Sequence, residues 1–223
     1  MSKRLLRFLL AAIAAISVLA LASAPTHADP ASTTAKTSGI SVALQSLMEL
    51  YPGSEVVSED TLRIAPGILL SMPADQPRDK RVLSKEAVKK ALASPNPVRA
   101  AAPAEPASRV SKPTEGSALL ADGPTIKDCA FYYLCLYADA NQWGYKIRFY
   151  DCKFVDLGTI NFPLGGKWND KMTSYINNQT RGTVSHFYNW DGTSQWIKLW
   201  SDTALGYSDQ VLYDNKVDAV RVC

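Results

Sequence analysis

The feature that most restricts this chain is where its aromatic residues fall. Nineteen of the 21 lie after Thr125, together with all five Trp and all four Cys, and not one Glu is found there. Aromatic and β-branched residues pack well on a pleated surface and are enriched in strands. Gly, Asn and Asp separate the apolar runs, as turn formers do. Tyr145–Tyr150 alternates apolar and polar side chains, and Gln195–Trp200 repeats the pattern, so each predicts a half-buried strand. No amphipathic helical pattern follows Thr125. Residues 125–223 are therefore expected to form the all-β main domain of the protein.

The first 28 residues stand apart. Lys3, Arg4 and Arg7 precede an apolar run, Phe8 to Ala22, that is short for a bilayer span, and small residues lead on to Thr26-His27-Ala28. This is the pattern of a secretory signal peptide cleaved before Asp29, and it predicts a secreted, extracellular monomer. In that compartment Cys129, Cys135, Cys152 and Cys223 read as two disulfides. Of the three connectivities, the one expected closes a short loop between Cys129 and Cys135 and joins Cys152 to Cys223. A zinc site is disfavoured because no Cys-x-x-Cys pair is present. Loss of the signal removes three of the 24 Lys and Arg residues and leaves 21 against 21 Asp and Glu, a formally neutral chain. Such a chain has no electrostatic reason to bind nucleic acid or an anionic membrane.

Ahead of the aromatic-rich part the sequence is more ordinary. Residues 29–39, mostly Ala, Thr, Ser and Pro, have little to bury and predict a disordered leader. Ile40, Leu44, Leu47 and Met48 recur at helical spacing until Tyr51-Pro52-Gly53 stops the pattern. Short strands are expected at Val56-Val57, Thr61–Ile64 and Ile68–Met72, with Ala65-Pro66-Gly67 turning between the last two. Ser84-Lys85-Glu86 opens a second helical stretch to Leu92. Residues 40–93 thus form a small α+β N-terminal unit, too small to stand without support. Residues 94–124, rich in Pro and Ala, read as a flexible linker.

Within the main domain an order of features occurs twice. Tyr137, Trp143-Gly144, the strand to Tyr150, Leu157-Gly158 and Asn169-Asp170 are followed by Phe187-Tyr188, Trp196, the strand to Trp200, Leu205-Gly206 and Asp214-Asn215. Two such β-units, each burying one sheet face, would pack as a sandwich. Asn169-Asp170-Lys171-Met172-Thr173-Ser174 joins a turn-forming Asx pair to two hydroxyls. Carboxylate, hydroxyl and carbonyl oxygens are also the ligands of a hard cation.

This arrangement resembles a βγ-crystallin domain, in which two Greek keys each end on an Asx-Asx-x-x-Ser-type turn. The run Cys135-Leu136-Tyr137, then Trp143-Gly144, Leu157-Gly158 and Asn169–Asn178, is more specifically similar to the secreted actinobacterial peptidase inhibitors of the Streptomyces metalloproteinase inhibitor type. The likeness extends over about residues 128–223. It implies a double Greek-key sandwich, a non-enzymatic extracellular protein and a secreted protease as partner. Calcium is the one cofactor it suggests, with Asp170, the Lys171 carbonyl and Thr173 as ligands and Asp214 and Asn215 completing the set. The same side chains serve equally to brace the turn. The second motif, Asp214-Asn215-Lys216-Val217-Asp218-Ala219, departs from the pattern because it lacks both hydroxyls, which leaves Asp218 in their place.

An inhibitor of this kind offers a protease a rigid, substrate-like loop. Two stretches qualify on composition: Asn177–Thr183, with Arg181 beside Gly182, and Asn189–Ser194, with Trp190 and Asp191. No cysteine lies between Cys152 and Cys223, so no disulfide pins either loop from within the second half. Binding of cell-wall polysaccharide is the alternative. Trp196, Lys198 and Trp200 fall on one strand face and Ile197 and Leu199 on the other. With the aliphatics facing the core, two flat rings suited to sugars lie outside, whereas the match of Trp196 to Trp143 in the repeat places Trp196 in the core. Catalysis finds little material. His186 is the one histidine left after signal cleavage, and no Ser-His-Asp, Gly-x-Ser-x-Gly or His-Glu-x-x-His arrangement occurs.

Overall fold

The computed structural model describes residues 40–74, 83–103 and 123–223. The stretches read as a signal peptide and a leader, and most of the one read as a linker, lie outside the described residues. Both helices begin on capping serines, of which the sequence reading marks Ser84. The Ser41 hydroxyl accepts the Leu44 amide at 3.1 Å and starts α1 (Val42–Leu50), and the Ser84 hydroxyl accepts the Ala87 amide at 3.1 Å and starts α2 (Lys85–Ala93). A capping hydroxyl satisfies one of the amides that the first helical turn leaves without a partner. Leu44, Leu47 and Leu50 form the buried face of α1. Among the described residues no helix is long and apolar enough to cross a membrane.

The strands are β1 (Glu55–Ser58), β2 (Thr61–Ala65), β3 (Ile68–Ser71), β4 (Tyr133–Tyr137), β5 (Lys146–Phe149), β6 (Phe154–Asp156), β7 (Ser174–Asn178), β8 (Val184–Trp190), β9 (Trp196–Thr203), β10 (Gly206–Ser208) and β11 (Ala219–Arg221). They form two antiparallel sheets, one of seven strands in the order β1-β2-β3-β5-β4-β7-β10 and one of four in the order β6-β11-β8-β9. The protein is an all-β sandwich preceded by a small α+β part, as the alternating patterns require.

The N-terminal strands are not a layer of their own. β3 pairs antiparallel with β5, with Leu69 opposite Arg148 and Leu70 opposite Ile147. The reason lies in the composition of β3, whose residues are all buried. Leu70 enters the main core between the sheets, with Leu134, Leu136, Ile147, Phe149, Phe187 and Val220. Leu69 enters a second cluster on the other face of the same sheet, with Cys129, Tyr133, Cys135, Tyr137, Tyr150 and Ile176. A strand apolar on both faces is a hazard at an edge and is stable only when paired and covered. The turn before it needs Gly67. Its φ is +75°, and an added Cβ would lie 2.5 Å from the Asp151 side chain.

Both expected disulfides are present, Cys129 to Cys135 and Cys152 to Cys223. The first roofs the small cluster over β4, and the second ties the end of β11 to the loop before β6. Residues 94–103 follow α2 without regular secondary structure and make specific contacts with the four-stranded sheet, described below.

Candidate functional site

The two Asx pairs meet. Asp170 and Asn215 both adopt left-handed backbone, with φ of 57° and 53°. Asx side chains tolerate this conformation because they bond their own backbone. Each then reaches across to the other turn: the Asp170 amide donates to the Val217 carbonyl at 3.1 Å, and the Asn215 amide donates to the Met172 carbonyl at 3.3 Å. The Thr173 hydroxyl donates to Asp214 Oδ1 at 2.7 Å, and Asn169 Nδ2 donates to Asp170 Oδ2 at 2.9 Å. Ser174 Oγ donates to the Asp139 carbonyl at 2.6 Å and accepts the Gln142 amide at 3.1 Å. The Lys171 ammonium lies over the Phe162 ring, 5.9 Å from its centroid. Burial pushes the Asp170 carboxyl above its ordinary value, and the negative charge of Asp218 adds to the shift.

The structure thus brings Asp170, Thr173, Asp214 and Asn215 together, and it spends their side chains and amides on bracing two turns against each other. Among the described residues no group of three or more His, Cys, Asp or Glu side chains is placed to hold a metal ion.

Asp218, standing where the second motif lacks a hydroxyl, is 4 % exposed and does something different. Its Oδ2 accepts the Trp190 amide at 2.8 Å, and its own amide donates to the Tyr188 carbonyl at 2.8 Å. Its Oδ1 accepts from the Arg99 guanidinium at 3.2 Å. Arg99 also donates to Asp156 Oδ1 at 3.0 Å, and Asp156 accepts the Gly158 amide at 2.8 Å. Burial raises the Asp156 carboxyl, opposed by the Gly158 amide and by Arg99. Neither Arg99 nor Asp156 carries a signal in the sequence. A lone arginine in a Pro/Ala run has no pattern to betray two carboxylates far along the chain.

The two candidate loops separate sharply. In Asn177–Thr183 the first residues belong to β7 and point inward. Asn177 Nδ2 donates to the Asp202 carbonyl at 3.1 Å, and Asn178 Nδ2 donates to the carbonyls of Pro124 and Cys129, each at 2.8 Å. Gln179 and Thr183 are buried as well, so Arg181 and Gly182 alone are exposed, at the tip of a tight turn.

Asn189–Ser194 takes in the last two residues of β8 and most of the connection to β9, and its residues from Asp191 onward are exposed. Asp191 Oδ1 gathers three consecutive amides, those of Thr193 at 2.8 Å, Ser194 at 2.9 Å and Gln195 at 3.1 Å. These bonds, the Thr193 amide foremost, hold the Asp191 carboxyl down to about 2. The Asp191 amide closes the tip by donating to the Gln195 carbonyl at 3.1 Å. At the base, Trp190 and Trp196 pack edge to face with centroids 5.1 Å apart.

The expected sugar-binding face does not form. Phe187 faces Trp200 and Tyr188 faces Lys198, so Leu199 is an extra residue in β9. A one-residue bulge turns the side chains beyond it to the other face. Trp200 accordingly stacks on core Phe187, with centroids 4.3 Å apart and planes 10° apart. Trp196 lies instead on the outer face against Phe154, 5.1 Å away. The platform of Trp196, Lys198 and Trp200 is split between the two sides of the sheet.

Among the described residues, fold and site together describe a disulfide-braced β-sandwich with an exposed, internally braced hairpin tip between β8 and β9. Residues 124–199 match a family model, peptidase inhibitor family I36. The match takes in both candidate loops and the first Asx pair, and it ends within β9, ahead of Asp214. No curated protein matches the chain, and no solved structure does.

Proposed function

We propose that this protein is a secreted, non-enzymatic peptidase inhibitor that presents Asn189–Ser194 to the cleft of an extracellular protease. The observation that carries this reading is the Asp191 carboxylate, which fixes three successive amides of an otherwise exposed tip. A loop already ordered in its bound shape loses little entropy on docking, so more of the contact energy remains as affinity. After any cleavage, the Asp191 bonds and the Trp190 amide on Asp218 hold both new ends near their starting places, which favours resealing over release. The matched family supports an inhibitory role, and the two disulfides suit an oxidising extracellular setting.

The test is a titration of residues 29–223 against a thermolysin-like metalloprotease and a subtilisin-like serine protease. A sharp stoichiometric loss of activity in either is the expected result. Undiminished activity of both at excess protein would overturn the reading.

A further inference from the structure

The segment after α2 is seated on the outer face of the four-stranded sheet in an unusual way. Val98 is 98 % exposed, and Ala100, Ala101 and Ala102 are also exposed, so the segment buries almost no apolar side chain of its own. A segment integral to a core is held by such burial; this one is not. It is held by one side chain and by its carbonyls. The Arg99 side chain is 8 % exposed and forks between Asp156 Oδ1 at 3.0 Å and Asp218 Oδ1 at 3.2 Å. Its guanidinium carbon lies 5.2 Å from the centroid of Trp196. Trp196 Nε1 donates to the Ala100 carbonyl at 3.1 Å, and the Arg221 guanidinium donates to the Pro103 carbonyl.

The receiving surface is shaped for that guest. Two carboxylates from separate elements converge on one point, an arrangement that is costly without a cation between them. A planar fork above an aromatic ring is the arginine geometry, which an ammonium does not reproduce. Gly158 supplies the room: a Cβ there would lie 2.6 Å from Pro97 Cγ and 3.2 Å from Arg99 Cζ.

We propose that this cleft, formed by Asp156, Asp218, Trp196 and Gly158, is a recognition site for an extended peptide carrying one arginine between small residues. Pro97–Pro103 fill it as a built-in ligand. A tethered ligand competes at high effective concentration, so the intact chain keeps the cleft closed to outside peptides. An arginine-bearing segment of another protein gains it when the tethered one is removed. The proposal does not depend on protease inhibition.

The experiment uses residues 29–223 with Arg99→Ala and a labelled peptide copying residues 95–103, followed by fluorescence anisotropy. The variant should bind saturably and at least about tenfold tighter than the unaltered chain. A peptide with alanine in place of its arginine should not bind, and adding Gly158→Ala to the variant should abolish binding. A variant that retains its near-ultraviolet circular dichroism yet binds nothing would overturn the proposal. So would equal binding of the two peptides, or equal binding by the unaltered chain. Should Arg99→Ala fail to fold, Gly158→Ala alone decides the matter. It leaves every charge in place but evicts the segment, so trypsin should cut after Arg99 at least about tenfold faster, and an unchanged rate refutes the cleft.

Discussion

The two Asx turns share a backbone and differ in what their side chains do. Asp170 and Asn215 take the same left-handed conformation, and each donates its amide to the opposite turn. Around the first turn the side chains close on one another: Thr173 bonds Asp214, Asn169 bonds Asp170, and Ser174 holds the Asp139 carbonyl. Around the second turn no hydroxyl is available, and Asp218 reaches outward to the hairpin amide of Trp190 and to Arg99. The crossed amides maintain the fold's closure in both, so the side-chain positions are released to diverge. One turn becomes a brace, and the other becomes a junction joining β6, the segment after α2 and the exposed hairpin.

If that division holds, the largest effect belongs to Asp218→Ala. It strands the half-buried Trp190 amide and takes one of the two carboxylates from Arg99, at a cost of about 3 kcal/mol in urea denaturation. Because it also frees the base of the hairpin, protease inhibition should fall with it at temperatures where the variant is still folded. Full inhibition by a folded variant would separate the junction from the hairpin. Asp191→Ala comes next. The tip is exposed, so the denaturation midpoint should stay in place while the inhibition constant rises roughly tenfold and the loop is cut more readily, read by mass spectrometry of the cleaved chain. Thr173→Val, on the brace, should be milder. Asp214 is only half-buried and recovers water, so about 1 kcal/mol of stability is lost and inhibition is unchanged. An equal effect of Thr173→Val and Asp218→Ala on inhibition would erase the distinction between the two turns.

Much of this architecture was legible because it rests on local chemistry. Alternating aromatics predict strands, Ser84 announces a helix start, and a short loop between Cys129 and Cys135 favours the observed cysteine pairing. The Asx pairs identify two turns, and the ligand set drawn from both already placed them side by side, though not the crossed amides that join them. What escaped has a common cause: it depends on partners distant in the chain. Arg99 finds Asp156 and Asp218 only after the sheet is built, and composition alone reads its surroundings as a spacer. The pairing of β3 with β5 is of the same kind. The bulge at Leu199 is hidden differently, since a period of two residues cannot reveal where one residue is inserted. Polar composition also misled at Asn177 and Asn178, which read as loop residues but are buried because their amides satisfy backbone carbonyls.

Acid acts on the buried aspartates of the paired turns and junction and on the hairpin tip in opposite directions, and this is the smallest effect expected. Burial raises Asp156 and Asp170, so their folded forms take up protons before the unfolded chain does. Their contribution to stability is complete below the unfolded value of about 3.9 and is lost as pH rises through the folded value. Asp191 is held down to about 2 by the amides it accepts. Its contribution is present above about 3.9 and disappears as pH falls toward 2. Carbon-13 titration of the aspartate carboxyls should therefore place Asp156 and Asp170 on the high side of an ordinary aspartate and Asp191 far on the low side. As the pH falls from about 4 to 2, the tip amides should lose order while the paired turns do not. An Asp191 that titrates like a free aspartate would mean that its three amide bonds do not persist in solution, and the hairpin would then lack the rigidity on which the inhibitory reading rests.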